Sequence, residues 1–265
     1  MVKGKIFTVT GAASGIGKAT AIRLAQLGAA GIAISDVNVD ALCDTEESCK
    51  ALGARVTSSK IDVRDAIQVE NWVMETIQTF GKLDGAANVA GVAAGHGNHT
   101  VATLPQKDWD FTMAVNLTGV LNCMRAELGQ ITKPGGSIVN VSSTSGLFGS
   151  PMNAAYATSK FGVIGLTESA AGEWGRQGVR INALLPGPID TGIIRDGEAR
   201  GLWNSKLLGD ETLLGRTGEA GEVAKVLCFL LSDDASYVTG AKWTVDGGYA
   251  AARTKMTGAP AKASG

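Results

Sequence analysis

Short apolar runs alternate with longer amphipathic stretches along nearly the whole chain, and that alternation leaves few folds open. Ile6–Thr10, Gly31–Ser35, Arg55–Ile61, Leu83–Asn88, Ser137–Val141, Arg180–Leu185 and Lys242–Val245 read as strands. Gly15–Leu27, Val39–Leu52, Ala66–Phe80, Lys107–Ile131, Asn153–Gln177 and Ala220–Leu231 read as helices between them. Nearly every strand is apolar throughout rather than at alternate positions, which marks a parallel sheet covered on both faces. Strands that alternate with crossover helices give a doubly wound α/β fold. A length of 265 residues suits one such domain. We place that domain at 1–249 and read 250–265, small and polar without period, as a C-terminal tail. Residues 188–216 break the rhythm, and an aperiodic segment of that length is expected to be a lid over the substrate.

Composition removes several classes of function. The net charge of −1 offers no basic surface for nucleic acid or anionic lipid. No apolar run approaches the roughly 18 residues of a membrane span. The start of the chain lacks a signal-peptide cleavage pattern, and the four cysteines lack metal-ligand spacing. The expectation is a cytoplasmic protein with reduced thiols, which would leave the Asn98-His-Thr and Asn116-Leu-Thr sequences unglycosylated. The 36 glycines against 6 prolines point to tight turns and close backbone approaches. A small molecule is the expected partner.

Thr10-Gly-Ala-Ala-Ser-Gly-Ile-Gly17 follows the first strand and opens the first helix. Gly11 lets the chain turn, Gly15 lets backbone approach a ligand, and Gly17 permits tight packing of helix on strand. With Ser14 and Ile16 they frame a helix N-terminus whose free N–H groups and positive dipole suit a pyrophosphate. A glycine pattern alone is weak; its strand–turn–helix context strengthens it. Asp36 closes the second strand about 20 residues further on, where a carboxylate accepts from ribose hydroxyls and repels a 2′-phosphate. Neither Ser14 nor Val37 supplies a basic group to offset it, so the expected cofactor is NAD rather than NADP.

Tyr156 and Lys160 lie four apart on one helix, hence on one face. Ser143 follows the fifth strand, at the carboxyl end of the sheet where open α/β sheets bind ligands. Interconverting an alcohol and a ketone needs a hydride partner and a proton partner. A phenol titrates near pH 10 and needs help to act near neutrality. An ammonium beside it favours the phenolate, and about 4 kcal/mol of differential stabilisation would lower it by three units. Ser143 would hold the substrate oxygen and fix its geometry. A tyrosine and a lysine at helical spacing are unremarkable alone; the glycine turn gives them weight.

Taken together these residues resemble the short-chain dehydrogenase/reductase family over roughly residues 3–249. The resemblance implies a Rossmann fold with a seven-stranded sheet ordered 3-2-1-4-5-6-7. It also implies a catalytic set of Asn116, Ser143, Tyr156 and Lys160, in which Asn116 supports a water that links Lys160 to solvent. Ser143 fits the family spacing to Tyr156 better than Ser142 does. Asp62 and Val63 match the pair that contacts adenine. Asn88-Val-Ala-Gly91 matches a cofactor segment, with Val89 in place of the usual asparagine. Pro186-Gly-Pro-Ile-Asp-Thr191 matches the segment that holds the nicotinamide, through the Ile189 backbone and the Thr191 hydroxyl. Homotetramers or homodimers built on the helices near Lys107–Ile131 and Asn153–Gln177 are implied as well.

The resulting expectation is an NAD-dependent dehydrogenase acting on a mid-sized, largely apolar secondary alcohol or ketone, such as a steroid-, terpenoid- or polyketide-like compound. A dinucleotide-binding regulator without turnover and a non-redox enzyme on the same scaffold are the competing readings. His96 and His99 sit in a glycine-rich loop without a third ligand, so they read as a flank of the substrate mouth and no metal is expected. Trp203, Leu207 and Leu208 either wall the substrate or anchor the lid. Asp246-Gly-Gly-Tyr249 is expected to turn the chain at a subunit contact.

Overall fold

Every strand expected from the sequence forms. The computed structural model describes residues 1–94, 97 and 99–251. Its strands are β1 (Ile6–Thr10), β2 (Gly31–Asp36), β3 (Val56–Lys60), β4 (Gly85–Asn88), β5 (Ser137–Val141), β6 (Arg180–Pro186), β7 (Ile189–Asp190), β8 (Gly218–Glu219) and β9 (Lys242–Val245). Its helices are α1 (Gly15–Gln26), α2 (Val39–Ala51), α3 (Ala66–Phe80), α4 (Gln106–Met113), α5 (Gly119–Gln130), α6 (Ala154–Trp174), α7 (Gly192–Ala199), α8 (Ser205–Asp210) and α9 (Ala220–Leu231). Seven strands pair in parallel in the order β3-β2-β1-β4-β5-β6-β9, which is the expected order once strands of the main sheet alone are counted. β7 and β8 form a separate two-stranded ribbon.

The apolar pattern follows each strand's place in the sheet. β1 and β5 lie inside it and are buried at every position. β3 and β9 are its two edges, and they carry the polar residues: Ser58, Ser59 and Lys60 on one, Lys242 and Thr244 on the other. Core fills both faces. Leu24 of α1, Leu42 of α2 and Leu227 of α9 pack with Phe7 and Ile34 on one side. Trp72 of α3, Met124 of α5 and Val163 of α6 pack with Ile138 and Ile181 on the other. Each such side chain taken from water is worth about 1.5–3 kcal/mol.

Two stretches depart from the sequence reading. Lys107–Ile131 is helical almost to its end, but not uniformly: α4 and α5 run into one another through a π-helical stretch, Ala114–Thr118, that contains Asn116. Residues 188–216 are not aperiodic: they hold β7, α7 and α8, each too short to show a period in the sequence. Among the described residues no helix is long and apolar enough to cross a membrane. Of the expected tail, residues 252–265 lie outside the described residues, as does His96.

Candidate active site

The sheet order reverses direction between β1 and β4, and the crossovers there diverge to opposite faces. That divergence opens a crevice at the carboxyl ends of the strands. A cleft of about 870 Å³ occupies it. Its floor is the glycine turn. Gly11, at φ 66°, backs onto the segment after β4: a Cβ there would stand 2.8 Å from Ala90 N and Cα. A Cβ on Gly17 would run into the Gly11 carbonyl, so Gly17 lets α1 close on the turn itself. Asn38 and Asp65 cap α2 and α3 with their side chains, whereas Ser14 makes no such bond to α1. The first N–H groups of α1 are thus presented to the cleft without a side-chain cap, which fits a diphosphate.

At one end of the cleft lies Asp36. One of its carboxylate oxygens accepts from Ala13 N–H at 3.0 Å and the other from Asn38 N–H at 3.0 Å. The carboxylate is thereby fixed at the mouth of the glycine turn. Lys60, which pairs in register with Asp36 across β2 and β3, lines the same end. This basic residue escaped the sequence reading, because only the sheet register brings it near the acid. Asp62 and Val63 also line the cleft. Arg64 chelates the Asp62 carboxylate through Nε and Nη2 and lies over the Phe111 ring, 5.2 Å from its centroid. Those hydrogen bonds hold Asp62 below the usual carboxylate range despite its partial burial.

At the other end Ser143, Tyr156 and Lys160 converge. Ser143 leaves β5 in extended conformation, and its Oγ accepts from Ser145 N–H at 3.1 Å. Its hydroxyl proton is left for another acceptor, and Ser143 hydrogen-bonds to Tyr156. Lys160, only 3% exposed, donates from Nζ to the Val141 carbonyl at 2.9 Å and sits 5.6 Å from the Tyr156 ring centroid. Ser142 also lies on the lining, but its Oγ is spent: it donates to the Lys160 carbonyl at 2.8 Å and ties α6 to β5.

The electrostatics differ from the expectation in one respect. Burial pushes the Tyr156 phenol above its ordinary value, and Ser143 only partly opposes it. Burial also lowers Lys160 to about 8. Desolvation thus outweighs the mutual help of phenol and ammonium in the protein itself.

Asn116 and Asn88 are buried away from the cleft lining. Asn116 Oδ1 accepts from Val92 N–H at 2.8 Å, while Nδ2 donates to Val92 O at 2.9 Å and to Ser159 Oγ at 3.1 Å. Ser159 Oγ passes the chain on to the Tyr156 carbonyl. A Cβ on Gly91 would stand 3.4 Å from both Asn116 Oδ1 and Lys160 Nζ, so Gly91 keeps those two groups within reach of one another. Asn88 turns its amide into the core, and Val89, Ala90 and Gly91 line the cleft in its stead. Pro186, Ile189 and Thr191 lie on the lining as expected, joined by Ile193 and Ile194 of α7.

The segment 188–216 is bolted down at several points. Trp203 is an anchor: its Nε1–H donates to Ile194 O at 2.8 Å, and its ring packs on Gly197, where no Cβ would fit. Leu202 packs on Gly97, whose N–H donates to the Met152 carbonyl at 2.8 Å. Leu207 stands largely exposed. Asp246 accepts from Gly248 and Ala250 N–H, forming the expected turn, and the Tyr249 ring lies 6.3 Å from Phe148 beyond β5. Among the described residues no cluster of three metal-binding side chains occurs.

Known proteins share this arrangement. A family model described as Enoyl-(Acyl carrier protein) reductase matches residues 11–250. The short-chain dehydrogenase/reductase aba4 of Botryotinia fuckeliana is 41% identical over 250 residues, covering 92% of this chain and 96% of that protein. Cyclohexanol dehydrogenase of Acinetobacter sp. is 39% identical over 246 residues, covering 92% and 94%. The solved structure of NAD+-bound xylitol dehydrogenase superimposes with a TM-score of 0.86 at 33% identity, covering 93% of this chain and 99% of that one. Fold and cleft thus define an α/β oxidoreductase that binds a nicotinamide dinucleotide. The chain belongs to the short-chain dehydrogenase/reductase family.

Proposed function

We propose that this protein is a cytoplasmic NAD-dependent dehydrogenase that interconverts a secondary alcohol and a ketone on a mid-sized, largely apolar substrate. The observation that carries the reading is the pairing of two ends of one cleft: a fixed Asp36 carboxylate at one, and Ser143, Tyr156 and Lys160 at the other.

The chain's groups divide the work. Gly11–Gly17 and the N-terminus of α1 would hold the diphosphate, with Ser14, Gly15 and Ile16 on the lining. Asp36 would take the ribose hydroxyls, Asp62 and Val63 the adenine, and Pro186, Ile189 and Thr191 the nicotinamide end. NAD supplies the carbon that accepts or returns hydride. Ser143 would hold the substrate oxygen by its hydroxyl, which bonds Tyr156 in the protein alone. Tyr156 Oη takes the alcohol proton in oxidation and returns one in reduction. Lys160, fixed by Val141 O, would place a cation beside the phenol and favour the phenolate, against the burial that holds the phenol above its ordinary value in the protein alone. Asn116 positions Val92 and, through Ser159, the first turns of α6. Val92, Ile193 and Ile194 give the cleft an apolar side suited to an apolar substrate body. The name of cyclohexanol dehydrogenase supports a cyclic secondary alcohol, and the NAD+-bound neighbour supports the cofactor.

The test is to follow reduced-cofactor absorbance across a panel of secondary alcohols. Tyr156→Phe should bind NAD normally and lose at least about a hundredfold in kcat. Unchanged turnover in that variant overturns the mechanism. Tighter binding of the 2′-phosphorylated cofactor than of NAD overturns the role given to Asp36. Turnover without change in absorbance would mark a non-redox enzyme, and binding without any turnover would mark a regulator.

A further inference from the structure

Behind the cleft the core holds a carboxyl group that no step above uses. Glu127 of α5 is completely buried. Its Oε2 accepts from Asn88 Nδ2 at 3.0 Å. The same amide nitrogen donates to Asn140 Oδ1 at 3.0 Å, and Asn140 Nδ2 donates in turn to Thr167 Oγ1 of α6 at 3.0 Å. Asn88 and Asn140 are register partners of β4 and β5. The ladder therefore crosses the sheet layer just before the chain becomes active site. Val89–Gly91 line the cleft directly after Asn88, and Val141, directly after Asn140, accepts from Lys160.

The ladder is one proton short. Among the described residues, the buried Glu127 Oε1 and Asn88 Oδ1 lack a well-aligned donor, and the single Thr8 hydroxyl that faces Glu127 can serve just one of them. Both hydrogens of the Asn88 amide are already committed, to Glu127 and Asn140. A carboxylate would add only a further acceptor to this group and would bring an uncompensated charge into the core. A carboxylic acid adds the missing O–H.

We propose that Glu127 is a positioning residue, carried as the neutral acid, whose bond to Asn88 fixes the ends of β4 and β5 that bear the cofactor wall and the Lys160 acceptor. The groups that face it are Thr8 from β1, Asn88 from β4 and Cys123 one turn earlier on α5. Of these only Cys123 titrates, and burial together with Glu127 holds its thiol well above the ordinary range. Burial likewise lifts Glu127 to about 7, against the pull of Asn88 and Thr8. An acid whose value rises on folding from 4.5 to about 7 stabilises the fold fully below 4.5 and loses that advantage as pH climbs to about 7.

The experiment needs no substrate for its first arm. Unfolding of the intact protein and of Glu127→Gln is measured from pH 5 to pH 8. Glutamine keeps an acceptor for Asn88 and adds a donor without ionising. The folding equilibrium of the wild type should fall relative to that of E127Q by on the order of a hundredfold across this range. Parallel curves overturn the neutral acid. The infrared spectrum of the wild type gives a second reading that does not depend on a variant folding. A carboxylic-acid carbonyl band should persist at pH 6 and fade by pH 9, and its absence at pH 6 overturns the proposal. The second arm measures NAD binding. Glu127→Leu should weaken it at least about tenfold and E127Q should restore it; unchanged NAD affinity in E127L overturns the positioning role. The consequence for NAD rests on the dehydrogenase reading, whereas the unfolding and infrared results do not. Their failure leaves that reading standing, and active Tyr156→Phe would remove the reading without touching Glu127.

Discussion

Lys160 shows what the site costs the fold. The structure buries an ammonium with a carbonyl for a partner and, among the described residues, no counter-ion bonded to it. Its value falls from 10.5 to about 8. A base depressed on folding leaves stability intact above 10.5, loses it progressively as pH falls to about 8, and keeps the full penalty below. Lys160→Met should therefore stabilise the protein at pH 7 by on the order of 1–3 kcal/mol, after allowing for the bond lost to Val141 O. That gain should shrink between pH 8 and pH 10, and turnover should drop steeply. Chemical denaturation at the two pH values checks it; a lysine that proves stabilising at pH 7 refutes the argument.

At the level of elements, the short helix α7 leans on Trp203 in particular. Trp203 fills the space that Gly197 leaves and bonds Ile194 O, so α7 carries Ile193 and Ile194 to the cleft in a fixed pose. Trp203→Ala should lower stability by about 3 kcal/mol, within the range for truncating a large aromatic side chain. It should also raise KM more than it lowers kcat, since α7 shifts while Ser143, Tyr156 and Lys160 stay in place. A variant whose KM matches the wild type would show that the pose of α7 does not depend on Trp203.

The main sheet and its helices were readable in the sequence because continuous apolar runs have one physical meaning, burial on both faces. The cleft was readable too: Gly11, Asp36, Ser143, Tyr156 and Lys160 sit where strand ends and helix starts had to put them. What escaped was non-local or short. The π-helical stretch at Ala114–Thr118 carries no change of apolar period. α7 and α8 span 8 and 6 residues, two turns or so, and a period cannot declare itself over that distance. Lys60 reaches the Asp36 end only through register, and Glu127 meets Asn88 only through packing of α5 on β4. The inward turn of the Asn88 amide is the mirror image of that last point.

For the whole molecule, the exterior of α6 points to association. Phe161 is 45% exposed on a helix otherwise largely apolar, and Phe111 of α4 is 39% exposed. A helix apolar around most of its circumference expects cover on more than one side. We propose a homotetramer or homodimer through these helices. Light scattering should return a mass of two or four chains, and Phe161→Arg should reduce it; a monomer in the wild type ends the proposal.

The β7–β8 ribbon has a consequence of its own. It seats Ile189 beside Gly218 and Asp190 beside Glu219, so the segment between them leaves and rejoins the body at a single doorway. Insertions between those gateposts add only a little closure entropy, about 0.6 kcal/mol for each doubling in length. If the proposed role of this segment holds, exchanging it as one contiguous cassette should change substrate choice while the sheet and the cleft floor stay untouched.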